Sequence, residues 1–240
     1  MIVDISTCSF QGGRDYNEDS VHHAEKDGVF VIVVADGLGG HGGGQIASRV
    51  VADEVTRLFF ENPLMEPENI QRIFNEVNTS VLSQQTPHLK MKSTGVCLFV
   101  KDDVVMWGHA GDSRVYHFYD DHLVSQTLDH SVSQMAVLSG EITQDEIRTH
   151  EDRNKVIKAF GGSDQLIADI SSPLSLLPGN HAFLLCTDGF WEYVLEQEME
   201  LDLAKCKEPD LWLDTMCARI NRTAPVNNDN FSAAAVFCRN

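Results

Sequence analysis

Two stretches of this chain run from a short apolar segment into Asp-Gly, and they constrain the fold more than any other feature. The first is Phe30-Val31-Ile32-Val33-Val34-Ala35-Asp36-Gly37, and the second ends Leu184-Leu185-Cys186-Thr187-Asp188-Gly189. The first run is too short to cross a membrane and rich in Val, so it reads as a strand buried on both faces. A carboxylate where such a strand leaves the core is costly unless a cation or hydrogen bonds compensate it. The loop after Asp36 carries Gly37, Gly39, Gly40, Gly42, Gly43 and Gly44. Glycines there let backbone approach another group closely and adopt positive φ where needed.

A chain of 240 residues is long enough for one large domain with a substantial core. Its formal net charge is −18, from 36 acidic and 18 basic residues. That argues against nucleic acid and against an anionic membrane surface, both of which need a basic face. The cysteines, Cys8, Cys97, Cys186, Cys206, Cys217 and Cys238, form no C-x-x-C pair. Cys97, Cys186 and Cys238 lie in apolar strand-like runs, where a free thiol acts as a small hydrophobe. This usage favours a reducing compartment. With no basic leader and no apolar segment of transmembrane length, a cytoplasmic protein is expected.

Ile2 to Phe10 predicts a first strand. One helix is predicted from about Gln45 to Phe60, with Ala47, Val51, Val55, Leu58 and Phe59 at helical spacing. A second follows Pro67, with Ile70, Ile73, Phe74, Val77 and Val81 on one stripe. Thr94 to Val100, Val104 to Ala110 and Arg114 to Phe118 predict three strands, with Leu123 to Thr127 as a fourth. The links Lys101-Asp102-Asp103 and Gly111-Asp112-Ser113 are so short that the three are expected to be antiparallel neighbours. From Ser131 to about Gly162 the chain is polar and reads as a surface excursion. A last amphipathic helix carries Trp212, Leu213, Met216, Cys217 and Ile220, and a closing strand runs from Phe231 to Phe237.

Asp36, Asp188 and Asp229 thus stand at strand ends, which sheet geometry can bring to one rim. Three convergent carboxylates repel unless divalent cations lie between them. Oxygen ligands with no Cys or His cluster point to Mg²⁺ or Mn²⁺ rather than Zn²⁺. The ten histidines show no H-E-x-x-H spacing.

In order, the chain carries Arg14-Asp15-Tyr16-Asn17-Glu18-Asp19, Asp36-Gly37-Leu38-Gly39-Gly40-His41, Ser93-Thr94-Gly95 and Gly108-His109-Ala110-Gly111-Asp112-Ser113-Arg114. There follow Asp129-His130-Ser131, His150-Glu151-Asp152-Arg153-Asn154, Cys186-Thr187-Asp188-Gly189 and Asp229-Asn230. This series resembles the bacterial branch of the metal-dependent serine/threonine protein phosphatases, the PPM or type 2C family, over nearly the whole length. The resemblance implies an α+β fold, a four-layer αββα sandwich of two mostly antiparallel sheets flanked by helices. It implies one catalytic domain over residues 1–240 with a flap at about 131–162.

The same resemblance implies hydrolysis of phosphoserine and phosphothreonine by a metal-activated water at a binuclear Mg²⁺ or Mn²⁺ centre. Asp36 would bridge two ions, the Gly37 carbonyl would complete the shell of the second, and Asp188 and Asp229 would hold the first. Glu18 and Asp19 would orient metal-bound waters. Asp129, with Asp188, would hold a weaker third ion. Arg14 would clamp the phosphate, a role that suits its planar two-pronged donor set. The partners implied are phosphorylated proteins, the Ser/Thr kinase that makes them, and no obligate second copy, so a monomer is expected.

Eukaryotic relatives place a His directly after the first Asp-Gly. Here that residue is Leu38, and His41 is the candidate proton donor. His130 and His150 are expected to stabilise the flap, and Asp112 to form a turn. Leu38 motivates an alternative function, a phosphoprotein-binding regulator of low turnover. A nucleotide-binding loop at Gly39 to Gly44 is disfavoured, because no Lys-Ser/Thr follows the glycines.

Overall fold

The computed structural model describes residues 1–39 and 42–239. The strands, in chain order, are β1 (Ile2–Phe10), β2 (Ser20–Lys26), β3 (Val29–Ala35), β4 (Gly37–Leu38), β5 (Lys92–Ser93), β6 (Gly95–Lys101) and β7 (Val104–Ala110). They continue as β8 (Arg114–Tyr119), β9 (His122–Gln126), β10 (Asp169–Ile170), β11 (Leu174–Ser175), β12 (Asn180–Cys186) and β13 (Phe231–Arg239). The α-helices are α1 (Gly43–Glu61), α2 (Pro67–Gln84), α3 (Val132–Ser139), α4 (Asp188–Trp191), α5 (Glu196–Leu203) and α6 (Pro209–Thr223).

One sheet has the order β1-β13-β12-β8-β9 and the other β10-β7-β6-β3-β2, with β11 also on β7, and every pairing is antiparallel. The period-two alternation of strands sorts their side chains between layers. In β3, Val31, Val33 and Ala35 face α1 and α2, while Ile32 and Val34 face the other sheet. In β13, Ala233, Ala235 and Phe237 face the α5–α6 side, while Ala234 and Val236 face β3 and its neighbours. Three apolar layers result, one between the sheets and one under each helical face, which is the expected αββα sandwich. Among the described residues no helix is long and apolar enough to cross a membrane.

Three details depart from expectation. β7 and β8 are not neighbours: β7 pairs with β6, β10 and β11, whereas β8 pairs with β12 and β9 in the other sheet. The link Gly111-Asp112-Ser113 carries the chain across the sandwich, with Gly111 at φ +113°. Stacked sheets lie about 10 Å apart, a span that three extended residues cover. The flap is not wholly a surface excursion, because Ile147 and Phe160 are fully buried in the two helical layers. The edge strand β2 and helix α5 have no apolar signature in the sequence. β2 reads Ser-Val-His-His-Ala-Glu-Lys, and α5 reads Glu-Gln-Glu-Met-Glu-Leu-Asp-Leu.

Phe160 roots the flap. Its ring lies 5.2 Å from that of Phe74, and its backbone N–H and C=O both pair with Ser93, at 2.8 and 3.1 Å. Phe160→Ala is expected to lower unfolding stability by about 3–5 kcal/mol through lost burial and the cavity left behind. Chemical denaturation of the variant checks this value.

Candidate active site

Every predicted rim carboxylate except Asp129 meets at one end of the sandwich. Asp36 follows β3, and its backbone is clamped on both sides. Its N–H donates to Thr94 Oγ1 at 3.1 Å, and its carbonyl accepts from the Thr94 N–H at 2.9 Å and the Ser93 hydroxyl at 3.0 Å. The Gly37 N–H donates to the Glu18 carbonyl at 3.2 Å, which also accepts from the Ser48 hydroxyl of α1 at 2.6 Å. A Cβ on Gly37 would lie 2.2 Å from the Gly44 carbonyl oxygen, so the first turn of α1 seats here only against glycine. The second Asp-Gly repeats the device, since a Cβ on Gly189 would lie 2.1 Å from the Asn230 carbonyl oxygen.

Asn230 assembles the other side. Its Nδ2 donates to the carbonyls of Gln11 at 2.6 Å and Tyr16 at 2.9 Å, and its Oδ1 accepts the Glu18 N–H at 2.9 Å. This clip holds the 11–18 loop against the start of β13, so Arg14, Glu18 and Asp229 share one wall. Arg14 Nη2 donates to Asp229 Oδ2 at 2.5 Å. Asp19 accepts from the Thr187 hydroxyl at 3.0 Å through Oδ2, while its Oδ1 is buried without a partner.

The resulting pocket, about 490 Å³, is lined by six carboxylates, Asp15, Glu18, Asp36, Asp112, Asp188 and Asp229. Among its described lining residues Arg14 is the one cation, and none is Cys or His. Burial first, then the charges of Asp19 and Asp188, push the Asp36 carboxyl well above the usual carboxylate range. Burial, followed by the charges of Asp112 and Asp229, does the same to Asp188. Burial raises Asp19 and Asp112 to about 7 each. Glu18 is also raised by burial, against the opposing pull of the Gln45 and Gly44 amides at the start of α1. A dense oxygen-only donor set with too little positive charge to balance it fits hard divalent cations of the Mg²⁺ or Mn²⁺ type.

Asp129 lies elsewhere than expected. Both its oxygens accept from Arg114, at 2.7 Å each, with the two side chains 3% and 1% exposed. The Arg114 guanidinium sits 3.5 Å from the centroid of the Trp191 ring, a cation–π contact. Asp129 is thus paired with Arg114 and is not among the residues that line the pocket. Asp112, expected only to form a turn, does line the pocket beside Asp188 and has a buried, unpartnered Oδ1. The sequence signal for it is its position just after the apolar strand Val104–Ala110, separated from it by Gly111. His41 lies outside the described residues.

His130 supports the flap as expected. Its Nδ1 accepts the Gly111 N–H at 3.2 Å, and its carbonyl accepts the Ile157 N–H at 2.8 Å. Burial lowers its imidazole to about 4, so it is neutral at pH 7. His109, His130 and Asp169 cluster with ligand-like spacing, but the Lys158 ammonium already sits 3.1 Å from His130 and 3.2 Å from Asp169. His150 caps its own loop by accepting the Asp152 N–H at 3.1 Å.

A family model described as "Protein phosphatase 2C" matches residues 13–229. The chain belongs to the protein phosphatase 2C family. It is 29% identical to the "Serine/threonine phosphatase stp" of Listeria welshimeri over 204 residues, which covers 81% of this chain and 79% of that protein. Its fold matches the crystal structure of the Staphylococcus aureus serine/threonine phosphatase Stp1 with a TM-score of 0.88 at 26% identity, covering 100% of this chain and 96% of that one. It also matches the catalytic domain of the phosphatase PstP, a structure described as a complex with two manganese ions. That match has a TM-score of 0.83 at 23% identity, and covers 99% of each chain. The pocket of this chain lies where Asp36, Asp188 and Asp229 converge.

Two outcomes test the site. Removing Asp129 leaves the buried Arg114 with only Glu196, 3.7 Å away, as a counter-charge. Asp129→Ala is therefore expected to cost about 3–5 kcal/mol of stability with or without metal, while the rise in Tm caused by Mn²⁺ persists. A stable variant that loses the Mn²⁺ effect would return Asp129 to the metal site. The second outcome concerns pH. Carboxyls whose pKa is raised on folding bind more protons in the native than in the unfolded state, so stability falls as pH rises through and beyond the unfolded value. In chelator, Tm should drop between about pH 5 and pH 8, the window set by Asp19 and Asp112 near 7. Mn²⁺ should remove most of that drop, because a cation that binds only the folded state stabilises it by mass action.

Proposed function

We propose that this chain is a serine/threonine protein phosphatase of the 2C type that hydrolyses phosphoserine and phosphothreonine at a centre of two Mn²⁺ or Mg²⁺ ions. The observation that carries this reading is the crowding of Asp36, Asp188 and Asp112 in one pocket with Asp19 buried beside them, each held above its ordinary pKa. Asp36 and the Gly37 carbonyl on one side, with Asp188 and Asp229 on the other, would hold the ions. Asp112, next to Asp188, takes the place first expected of Asp129 for a weaker third ion. When bound, such ions neutralise phosphate charge and acidify a water, which removes the need for a protein nucleophile.

The residues of the chain do the rest. Arg14, half-exposed at the pocket mouth, offers two parallel N–H donors to a phosphate. Binding requires it to exchange its contact with Asp229 for the phosphate oxygens. Glu18 and Asp19 hold water by accepting its hydrogens, and the unpartnered Asp19 Oδ1 is free to do so. Leu38 and Val156 flank the pocket and limit water access from the flap side. His41 is the proposed proton donor to the leaving oxygen, on the strength of the sequence resemblance. The natural substrates in this reading are phosphoproteins made by a Ser/Thr kinase, with the kinase itself among them. The working unit is a monomeric, cytoplasmic, single domain over residues 1–240.

The test is Mn²⁺-dependent release of phosphate from a phosphothreonine peptide, lost in chelator. Asp36→Asn should lower turnover by about 10²-fold or more, because it removes the charge of a carboxylate that would hold the ions. Arg14→Ala should raise KM with metal affinity intact, and Arg14→Lys should recover only part of it, since a point charge lacks the two-pronged geometry. Full turnover in Asp36→Asn would overturn the assignment.

A further inference from the structure

Beside the active-site pocket runs a second groove of about 630 Å³, which shares Leu38, Asn154 and Val156 with it. Of its thirteen lining residues, Lys92, Lys155 and Lys158 are cationic and none is Asp or Glu. The chain as a whole has 36 acidic residues against 18 basic ones, so this lining inverts the general balance. Lys92 is exposed on β5, in register with Leu38 at the pocket edge. Lys155 and Lys158 sit on the returning limb of the flap. Lys155 pairs with Asp152 at 2.7 Å and Lys158 with Asp169 at 3.2 Å, two carboxylates that are not among the lining residues, while Lys92 lies at the pocket edge. Ile157 and Ile167, 53% and 71% exposed, add apolar surface along the same wall.

We propose that this groove binds the segment of a phosphoprotein next to its phosphorylated residue, and selects segments that carry acidic side chains beside an apolar one. The inference rests on the phosphatase reading and names the substrate class of that site. Two physical arguments support it. A net charge of −18 repels an acidic peptide at long range, so binding one requires a local positive field at the point of contact. The groove supplies that field on the side of the pocket bounded by Leu38, Asn154 and Val156. Nucleic acid carries the same sign of charge, but its dense backbone would meet the acidic remainder of the surface, whereas a short peptide does not.

The experiment uses the full chain with Mn²⁺ and fluorescent peptides carrying a non-hydrolysable phosphonate analogue of phosphothreonine, with acidic, neutral or basic flanks. Binding is read by anisotropy. Acidic flanks should bind about tenfold tighter than neutral ones at low salt, the sum of a few partly screened contacts. The preference should shrink as salt is raised. Lys92→Glu with Lys155→Glu, both exposed positions, should abolish it while hydrolysis of p-nitrophenyl phosphate stays at the wild-type level. In the hydrolysable peptides the loss should appear in KM rather than kcat. An unchanged ratio between acidic and neutral peptides in the double variant overturns the groove. If wild type turns over no phosphopeptide yet the binding ratio still collapses in the variant, the phosphatase reading fails and the groove stands.

Discussion

Like-charge repulsion at one rim of the sandwich is the constraint that the rest of this structure answers. Asp36 and Asp188 leave the ends of two buried strands in different sheets, and Asp19 and Asp112 are buried beside them. The backbones around Asp36 and Asp188 are clamped, so the strand ends cannot move apart to relieve the repulsion. Ser93 and Thr94 grip Asp36, Gly189 packs against the Asn230 carbonyl, and Thr187 is paired with Ser232 in both directions at 3.0 Å. The three apolar layers supply the stability that holds the cluster together without ions. That crowding of charge is what a bound cation would relieve, and it would couple metal binding at this pocket to pH and to unfolding.

The segment Ser93-Thr94 joins the site to the flap. The residues that fix Asp36 also pair with Phe160, and Thr94 shares a 2.7 Å hydroxyl contact with Ser113 on the crossover between sheets. At the other root, Ser131 bridges to Val156, and His130 exchanges backbone and ring contacts with Gly111. Both roots therefore end on residues that also position carboxylates. A second buried network, Arg114 with Asp129, Tyr116 and Trp191, continues through Glu196 to Arg148 of the flap at 2.7 Å. The flap is a tethered wall, and this permits its lysine-bearing return limb to serve as a recognition surface at a constant distance from the chemistry.

Polar residues divide here by what surrounds them. Arg114–Asp129 is a neutral pair with a stacked aromatic beneath it, and it needs nothing further. Asp36, Asp188 and Asp112 are surrounded mainly by like charges, Asp19 and Asp229 among them, and so they call for cations. Sequence type alone does not separate these cases, since each is an Asp beside a glycine turn or a strand end.

The sequence by itself determined the long apolar strands and the main helices, because period-two and period-3.6 apolar patterns report burial locally. It marked Asp36, Asp188 and Asp229 as rim carboxylates, because a charge at the end of a buried strand sits half in the core and must be compensated there. It identified Arg14, Glu18 and Asp19 through resemblance rather than through any pattern of their own. Only the tertiary structure decided that β8 crosses to the second sheet, since three extended residues reach a neighbouring strand and a stacked sheet equally well. That crossing places Asp112 in the pocket and turns Asp129 toward Arg114. It also gathers Lys92 from β5 and Lys155 and Lys158 from the flap along one groove. Long-range juxtaposition of this kind leaves no trace in local spacing, because it depends on which sheet face each segment must cover.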